Sequence, residues 1–447
     1  MDRKIDTILN QWKASPVRQP LLVRGARQVG KTYSITAFGK ARFKNLVSIN
    51  FEEKPEFANC FSEYDPKLII DRLSIITRNI IQPGHTLLFL DEIQECPRAI
   101  TSLRYFYEKI PELHVIGAGS LIEFALRSKN FRMPVGRIQS IFMFPLSFDE
   151  FLMATGEEKL YEYLNTINPK TGIDQVIQGR LENLIRNYFL IGGMPAAVNA
   201  FAGNISMEEI RRLQLGLVRT YAADFSKYAS TAKHKYLKQV YESAPRMVGQ
   251  RYRYSRVNPN IESKFLKDAL QLLCEARCLT RICHSSGAGL PLAAGVNEKK
   301  FKLAYLDVGM MQNALGIQTP IALDMPVMQI NAGSVAEQFV AQELLSCSDP
   351  YAEPELFFWA REARGSSAEV DYLIGIEGMV FPVEVKSGAT GSLKSMKLFL
   401  KKYPDIPFGI RYSMHDLSFH ENILSIPLYM ISKTKHHIKK SLSLSNN

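Results

Sequence analysis

Residues 21–42 read LLVRGARQVGKTYSITAFGKAR: a short apolar run, a glycine-bounded loop, and a stretch compatible with a helix. The loop is Gly25-Ala26-Arg27-Gln28-Val29-Gly30-Lys31-Thr32, the pattern G-x-x-x-x-G-K-T between a buried strand and a helix start. Few features narrow a fold as much. The two glycines permit a backbone path that turns successive N–H groups inward, and the helix that follows adds the positive end of its dipole. Such a loop is built for phosphate, and it needs a parallel α/β sheet to hold it. Lys31 is expected to reach the β- and γ-phosphates of ATP, and Thr32 to offer its hydroxyl to Mg²⁺.

A second run, Leu87-Leu88-Phe89-Leu90-Asp91-Glu92, reads as a central strand with two acids at its C-terminal end, where ligands bind in doubly wound sheets. Asp91 is suited to hold Mg²⁺ through its water shell. Glu92 is suited to orient or deprotonate the water that attacks the γ-phosphate. A third run ends in Gly117-Ala118-Gly119-Ser120, which makes Ser120 a candidate sensor of the γ-phosphate or the attacking water, with a plain βα turn as the alternative. Arg137 is a candidate for neutralising charge in the transition state, within the chain or across subunits, and Arg127 and Arg132 compete for that role.

The rest of residues 1–150 repeats buried runs separated by helical patterns, as a parallel sheet covered on both faces requires. Helical periodicity dominates 151–231. Residues 232–315 combine helix-like segments with a hairpin around LTRICHSSGAGLPL, which suggests a winged helix whose recognition helix is ESKFLKDALQLLCEARCL, with Lys264, Lys267 and Arg277 as its basic positions. Arg251, Arg253 and Arg256 with Tyr252 and Tyr254 read as an edge strand or a phosphate contact. A further α/β segment runs from 330 to 432, and the basic stretch 433–447 reads as a solvated, frayed tail.

Six cysteines are too few for a disulfide scaffold. The gaps among Cys274, Cys278 and Cys283 fit no zinc knuckle pair, so LLCEARCL reads as one apolar helix. The N-terminus lacks the apolar stretch of a signal peptide, and no run is long enough to span a bilayer. Cytoplasm is the expected location, with no membrane partner. A net charge of +11 permits a nucleic-acid partner without requiring one.

The wording GARQVGKT, FLDEIQECP, GAGSL and GRIQSIFMFPLSFDEF resembles the prokaryotic AAA-type ATPases with a poorly characterised C-terminal region. The resemblance continues through IGGMPAAV, YAADFSKY, LAYLDVGM and FPVEVKSG, and so covers essentially the whole chain. Leu121 departs from the small residue expected after Ser120. In the C-terminal segment, Asp371 followed by Val383-Glu384-Val385-Lys386 resembles the PD-(D/E)xK nuclease core. There Asp371 and Glu384 are expected to share Mg²⁺, Lys386 to position water, and Glu337 to add a helix-borne acid. The resemblances imply an ATP hydrolase with an AAA-like core, a winged-helix middle and a smaller restriction-endonuclease-like end. They point to DNA as a partner and leave a homo-oligomer open. The alternative is a nucleotide-gated interaction protein whose nuclease-like fold is silent.

Overall fold

The computed structural model describes residues 3–126, 136–169, 172–225, 231–316, 332–362, 368–386 and 393–445. The chain forms two compact units: residues 1–144 with 275–277 and 349–354, and residues 145–274, 278–348 and 355–447. Among the described residues no helix is long and apolar enough to cross a membrane.

The first unit is built on strands β1 (Leu21–Arg24), β2 (Asn45–Asn50), β3 (Thr86–Asp91), β4 (His114–Gly119) and β5 (Gln139–Phe142). They pair in parallel in the order β2-β3-β4-β1-β5. Every residue of β3 and β4 is buried, which is why these runs carry no polar alternation. Helices α3 (Pro66–Thr77) and α4 (Pro97–Lys109) bury Ile69, Leu73, Ile100, Leu103 and Phe106 in one core with Leu22, Leu88, Leu90 and Val115. Helices α1 (Lys4–Ala14) and α2 (Lys31–Arg42) complete the layer that carries the Trp12, Phe43 and His114 rings. Burial there pushes the His114 imidazole down to about 4.

The second unit starts with helices and ends in a mixed sheet. The phrase Ser147-Phe148-Asp149-Glu150 is a reciprocal cap: Ser147 and Glu150 satisfy each other's backbone N–H groups at the start of helix Phe148–Ala154. IGGMP and LDVG meet through Asp307, whose buried carboxylate accepts the N–H of Gly193 at 2.6 Å and that of Met310 at 2.9 Å. A Cβ on Gly192 would collide with that carboxylate. These two motifs are therefore accounted for by core packing.

The sheet comprises β6 (Leu279–Ser285), β7 (Val296–Tyr305), β8 (Leu356–Ala360), β9 (Glu369–Ile376), β10 (Met379–Val385), β11 (Gly409–Ser413), β12 (Ser418–His420) and β13 (Ile423–Pro427), in the order β12-β13-β11-β10-β9-β8-β6-β7. Helix Ala332–Ser346 packs beside β7, β8 and β10, and helix Lys394–Lys402 beside β9 and β10.

Four expectations are corrected here. The β6–β7 hairpin is not a free wing, because β6 pairs in parallel with β8 and joins the C-terminal sheet. LLCEARCL is not one helix: helix Ser263–Glu275 stops, Arg277 takes a left-handed φ of 60°, and the Cys278 N–H returns to the Leu273 carbonyl at 2.9 Å. That is a helix-ending turn that a glycine would usually make. The segment around Arg251 is not a strand: the Tyr252 N–H donates to the Phe301 carbonyl at 2.8 Å, and Tyr254–Val257 then forms a helical turn. Most of the expected frayed tail is helix Thr434–Ser445, with Thr434, His437, Ile438 and Ser441 buried at helical spacing. Two hydroxyls and an imidazole in that stripe hid it from a reading of hydrophobic period.

Candidate functional site

The phosphate-type loop leaves the C-terminal end of β1. At Gly25 a Cβ would strike the carbonyl oxygen of Met143, and Gly30 takes a φ of 97° as it opens α2. Gln28 also holds a left-handed φ of 60°. Ala26 and Val29 are buried. Arg27 pairs with Glu52 at 3.0 Å. Beneath the loop, the buried Arg3 guanidinium donates to the Val29 carbonyl at 3.2 Å and to that of Phe144 at 2.9 Å. Nothing in the sequence around Arg3 announces this strut.

Lys31 is 6% exposed, and its Nζ donates to the carbonyls of Gly25 and Ala26 at 3.0 and 2.8 Å. Burial pushes its pKa down to about 8, against the opposing pull of Glu92 and Asp91. The Thr32 hydroxyl donates to Asp91 Oδ2 at 2.8 Å, joining the loop to β3. Burial raises the Asp91 pKa above the ordinary carboxylate value, while the bond from Thr32 opposes that rise. A hydroxyl and a carboxylate converging beside the loop form a donor set that suits Mg²⁺, which takes few protein oxygens and keeps several waters.

Glu92 follows with a left-handed φ of 46° that turns it off the strand. Its Oε2 accepts a hydrogen bond from Gln94 Nε2 at 2.7 Å. The other end of Gln94 lies where a Cβ on Gly119 would be, and its Oε1 is buried without a hydrogen-bond partner. Gln94 thus ties the acid after β3 to the end of β4, where Ser120 is buried. Glu123, on helix α5 (Ile122–Leu126), accepts from Arg24 at 2.8 Å and Arg277 at 3.0 Å, and both guanidiniums lie over the Phe142 ring. Sequence reasoning missed Gln94, Glu123 and Arg24, and it placed Arg277 on a recognition helix.

Arg137 is elsewhere. It lies two residues before Gln139, whose partner Leu21 begins β1, so it sits at the sheet edge opposite the loop. There it pairs with Glu108 at 3.1 Å. A role at its own chain's loop is corrected by this placement. Arg127 and Arg132 lie outside the described residues.

In the second unit the expected acids do come together. Antiparallel β9 and β10 set Asp371 beside Glu384, and Asp371 Oδ2 accepts the Val385 N–H at 2.8 Å. Lys386 Nζ donates to Glu384 Oε1 at 2.8 Å, as two side chains on one strand face can. Burial and the Asp371 charge push the Glu384 pKa up to about 7. Glu337 is also largely buried, on helix Ala332–Ser346.

The unexpected member is Lys302 of β7, 1% exposed, with its Nζ 2.7 Å from Glu369, 3.4 Å from Glu337 and 3.6 Å from Asp371. Burial by itself would lower its pKa, but those three carboxylates raise it well above the ordinary lysine value. Three of the acids therefore converge on an ammonium rather than on a common point for a divalent ion. This arrangement does not fit the expected pair of metal ligands. Among the described residues no group of three or more His, Cys, Asp or Glu side chains is arranged to hold a metal, the cysteine cluster included.

Residues 17–152 match the AAA domain family, and residues 182–320 and 332–431 match two domains of unknown function, DUF8612 and DUF4143. No curated protein matches the chain. Among solved structures, a Walker-type ATPase of Pyrococcus abyssi matches at 15% identity and a TM-score of 0.44, over 70% of this chain and 95% of that one. The ORC2 protein of Aeropyrum pernix matches at 11% identity and a TM-score of 0.35, over 70% of this chain and 91% of that one. DnaA of Aquifex aeolicus matches at 14% identity and a TM-score of 0.26, over 60% of this chain and 86% of that one. The N-terminal region is a P-loop domain of AAA type.

Proposed function

We propose that this chain hydrolyses ATP at the loop formed by residues 25–32, and that its nucleotide state governs a nucleic-acid-facing C-terminal region. The observation that carries the first part is the connected set Lys31, Thr32, Asp91, Glu92 and Gln94, in which two hydrogen bonds of 2.8 and 2.7 Å fix the acids. The loop N–H groups and Lys31 bind and orient the triphosphate, exchanging two carbonyl partners for phosphate oxygens of full charge. Thr32 and Asp91 would hold Mg²⁺, which when bound would supply charge neutralisation to the phosphates. Glu92, held by Gln94, orients the attacking water and takes its proton. Ser120 lies within the same rim and is our candidate γ-phosphate sensor.

Glu92→Gln separates hydrolysis from binding. Phosphate release should fall by about 10²–10⁴-fold with ATP affinity kept within a few-fold. Equal release from both proteins would remove Glu92 from the mechanism.

The second part is supported by an open cleft of about 660 Å³ against the β6–β7 hairpin. Lys267, Arg281 and Lys299 line it with the Tyr254 and Phe301 rings, against a single acid, Glu298. Phe301 is itself buried under Tyr252 and Arg281, so the cations beside the part-exposed Tyr254 ring are what suits a nucleic-acid strand. Double substitution of Arg281 and Lys299 by alanine should weaken binding of a labelled oligonucleotide and flatten its salt dependence. A PD-(D/E)xK-like origin of residues 330–432 is supported by Asp371 and Glu384 on adjoining strands, with Lys386 just after the second.

A further inference from the structure

The nuclease-like resemblance asks the C-terminal acids to hold a divalent cation. Each of these acids already has a cation of its own chain. Glu384 has Lys386 at 2.8 Å; Glu369 has Lys302 at 2.7 Å and Arg251 at 2.9 Å. Glu337 and Asp371 have Lys302 at 3.4 and 3.6 Å.

Lys302 is unlike a surface lysine that happens to fall near an acid. It starts on β7, and its Nζ is met by acids of β9, a strand separated from β7 in the sheet by β6 and β8, with the Phe358 ring 5.4 Å from that Nζ. A side chain that long, almost fully buried, gives up solvent and rotamer freedom, and it is retained only where its charge is met. The carboxylates in turn are buried beyond what they would tolerate unpaired. Lysine and acids therefore require one another.

We infer that Lys302 is the resident cation of this cluster, and that it closes the C-terminal acids to a catalytic metal. A second, doubly charged ion at Asp371 and Glu384 would sit next to an ammonium that water cannot screen. The unit is a binding body that has kept the outline of a metal-dependent phosphodiesterase, with the internal ammonium in place of the metal. This assignment rests on the geometry around Lys302 and is independent of the ATP hydrolase reading. The Oε2 of Glu384 is buried and has no hydrogen-bond partner, so a metal in this cluster would claim it, and substitutions there are the decisive arm.

The test uses the full chain carrying Asp91→Asn, which removes the metal ligand at the loop, with Mn²⁺ binding followed by electron paramagnetic resonance in the absence of nucleotide. We expect the same Mn²⁺ occupancy with and without Glu384→Gln. Adding Lys302→Met should create one site per chain, at least about tenfold tighter than any in the Lys302 protein, and Glu384→Gln should remove it. One Mn²⁺ per Lys302-containing chain that disappears with Glu384→Gln would overturn the inference. So would a folded Lys302→Met protein that gains no site. If Lys302→Met does not fold, the comparison with and without Glu384→Gln in the Lys302 background still decides. A Mn²⁺-dependent cleavage of DNA by the wild-type chain, lost in Glu384→Gln, would overturn it by a second route.

Discussion

Lys31 and Lys302 are both buried lysines, yet their surroundings move them in opposite directions. Lys31 is held by two carbonyl dipoles, and burial takes its pKa down to about 8. Lys302 is held by three carboxylates, which lift its pKa despite burial. The first has a charge met only by dipoles at short range, so a polyphosphate is the group that completes it. The second has its counter-charges built into the fold. In this pair, neutral partners leave the charge of Lys31 open to a ligand, whereas carboxylate partners close off that of Lys302.

Exchanging the two losses gives the largest expected effects. Lys31→Ala should weaken ATP binding by about 10²-fold or more and abolish phosphate release, with little change in thermal midpoint. Lys302→Met should leave ATP affinity unchanged and cost about 3–5 kcal/mol, because it strands buried carboxylates. For a unit of this size that is a fall of about 10 °C in its melting transition. Calorimetry beside ATP titration checks both. A Lys302→Met protein that melts like wild type would break the comparison.

Gln94→Ala comes next. It removes the bond that holds Glu92, so kcat should drop by about tenfold while the apparent KM for ATP stays within about twofold. A purely structural role for Gln94 would instead lower stability and leave kcat alone, so kcat and melting are read together.

The smallest effect is with pH. The charged form of Lys31 binds phosphate, so affinity should be level below about pH 8 and fall by up to tenfold per unit above it. Bound phosphates favour the protonated lysine, which fixes that sign. Titration of ATP at pH 7, 8 and 9 would show about a tenfold loss at the top. An affinity flat to about pH 10 would mean that Lys31 is not the phosphate ligand.

Local chemistry explains which parts were readable from sequence. The strand–loop–helix around residues 25–32 depends on neighbours in the chain, and so do the buried β3 run and the acids that end it. The β9–β10 pair was legible for the same reason, because a short turn and a side-chain period of two align Asp371 with Glu384 and Lys386. What escaped were residues whose meaning comes from distant partners. Lys302 in FKLAY looks like any strand lysine, Gln94 like a polar turn residue, and Arg3 like a terminal charge. Arg137 as a residue of its own chain's loop was misread in the opposite way: it is near the right motifs in sequence, but it precedes β5 at the end of the sheet away from the loop.

The sequence by itself determined that this chain has a phosphate-binding loop, a parallel sheet to hold it and acids at the end of β3. Tight turns, buried runs and strand periodicity are written over a few neighbouring residues. Only the tertiary structure decided that the winged hairpin is an edge of the larger sheet, that the tail is a packed helix, and that the C-terminal acids close around a lysine. Those outcomes depend on which side chains meet after burial, where the charge of a partner far along the chain outweighs any local preference.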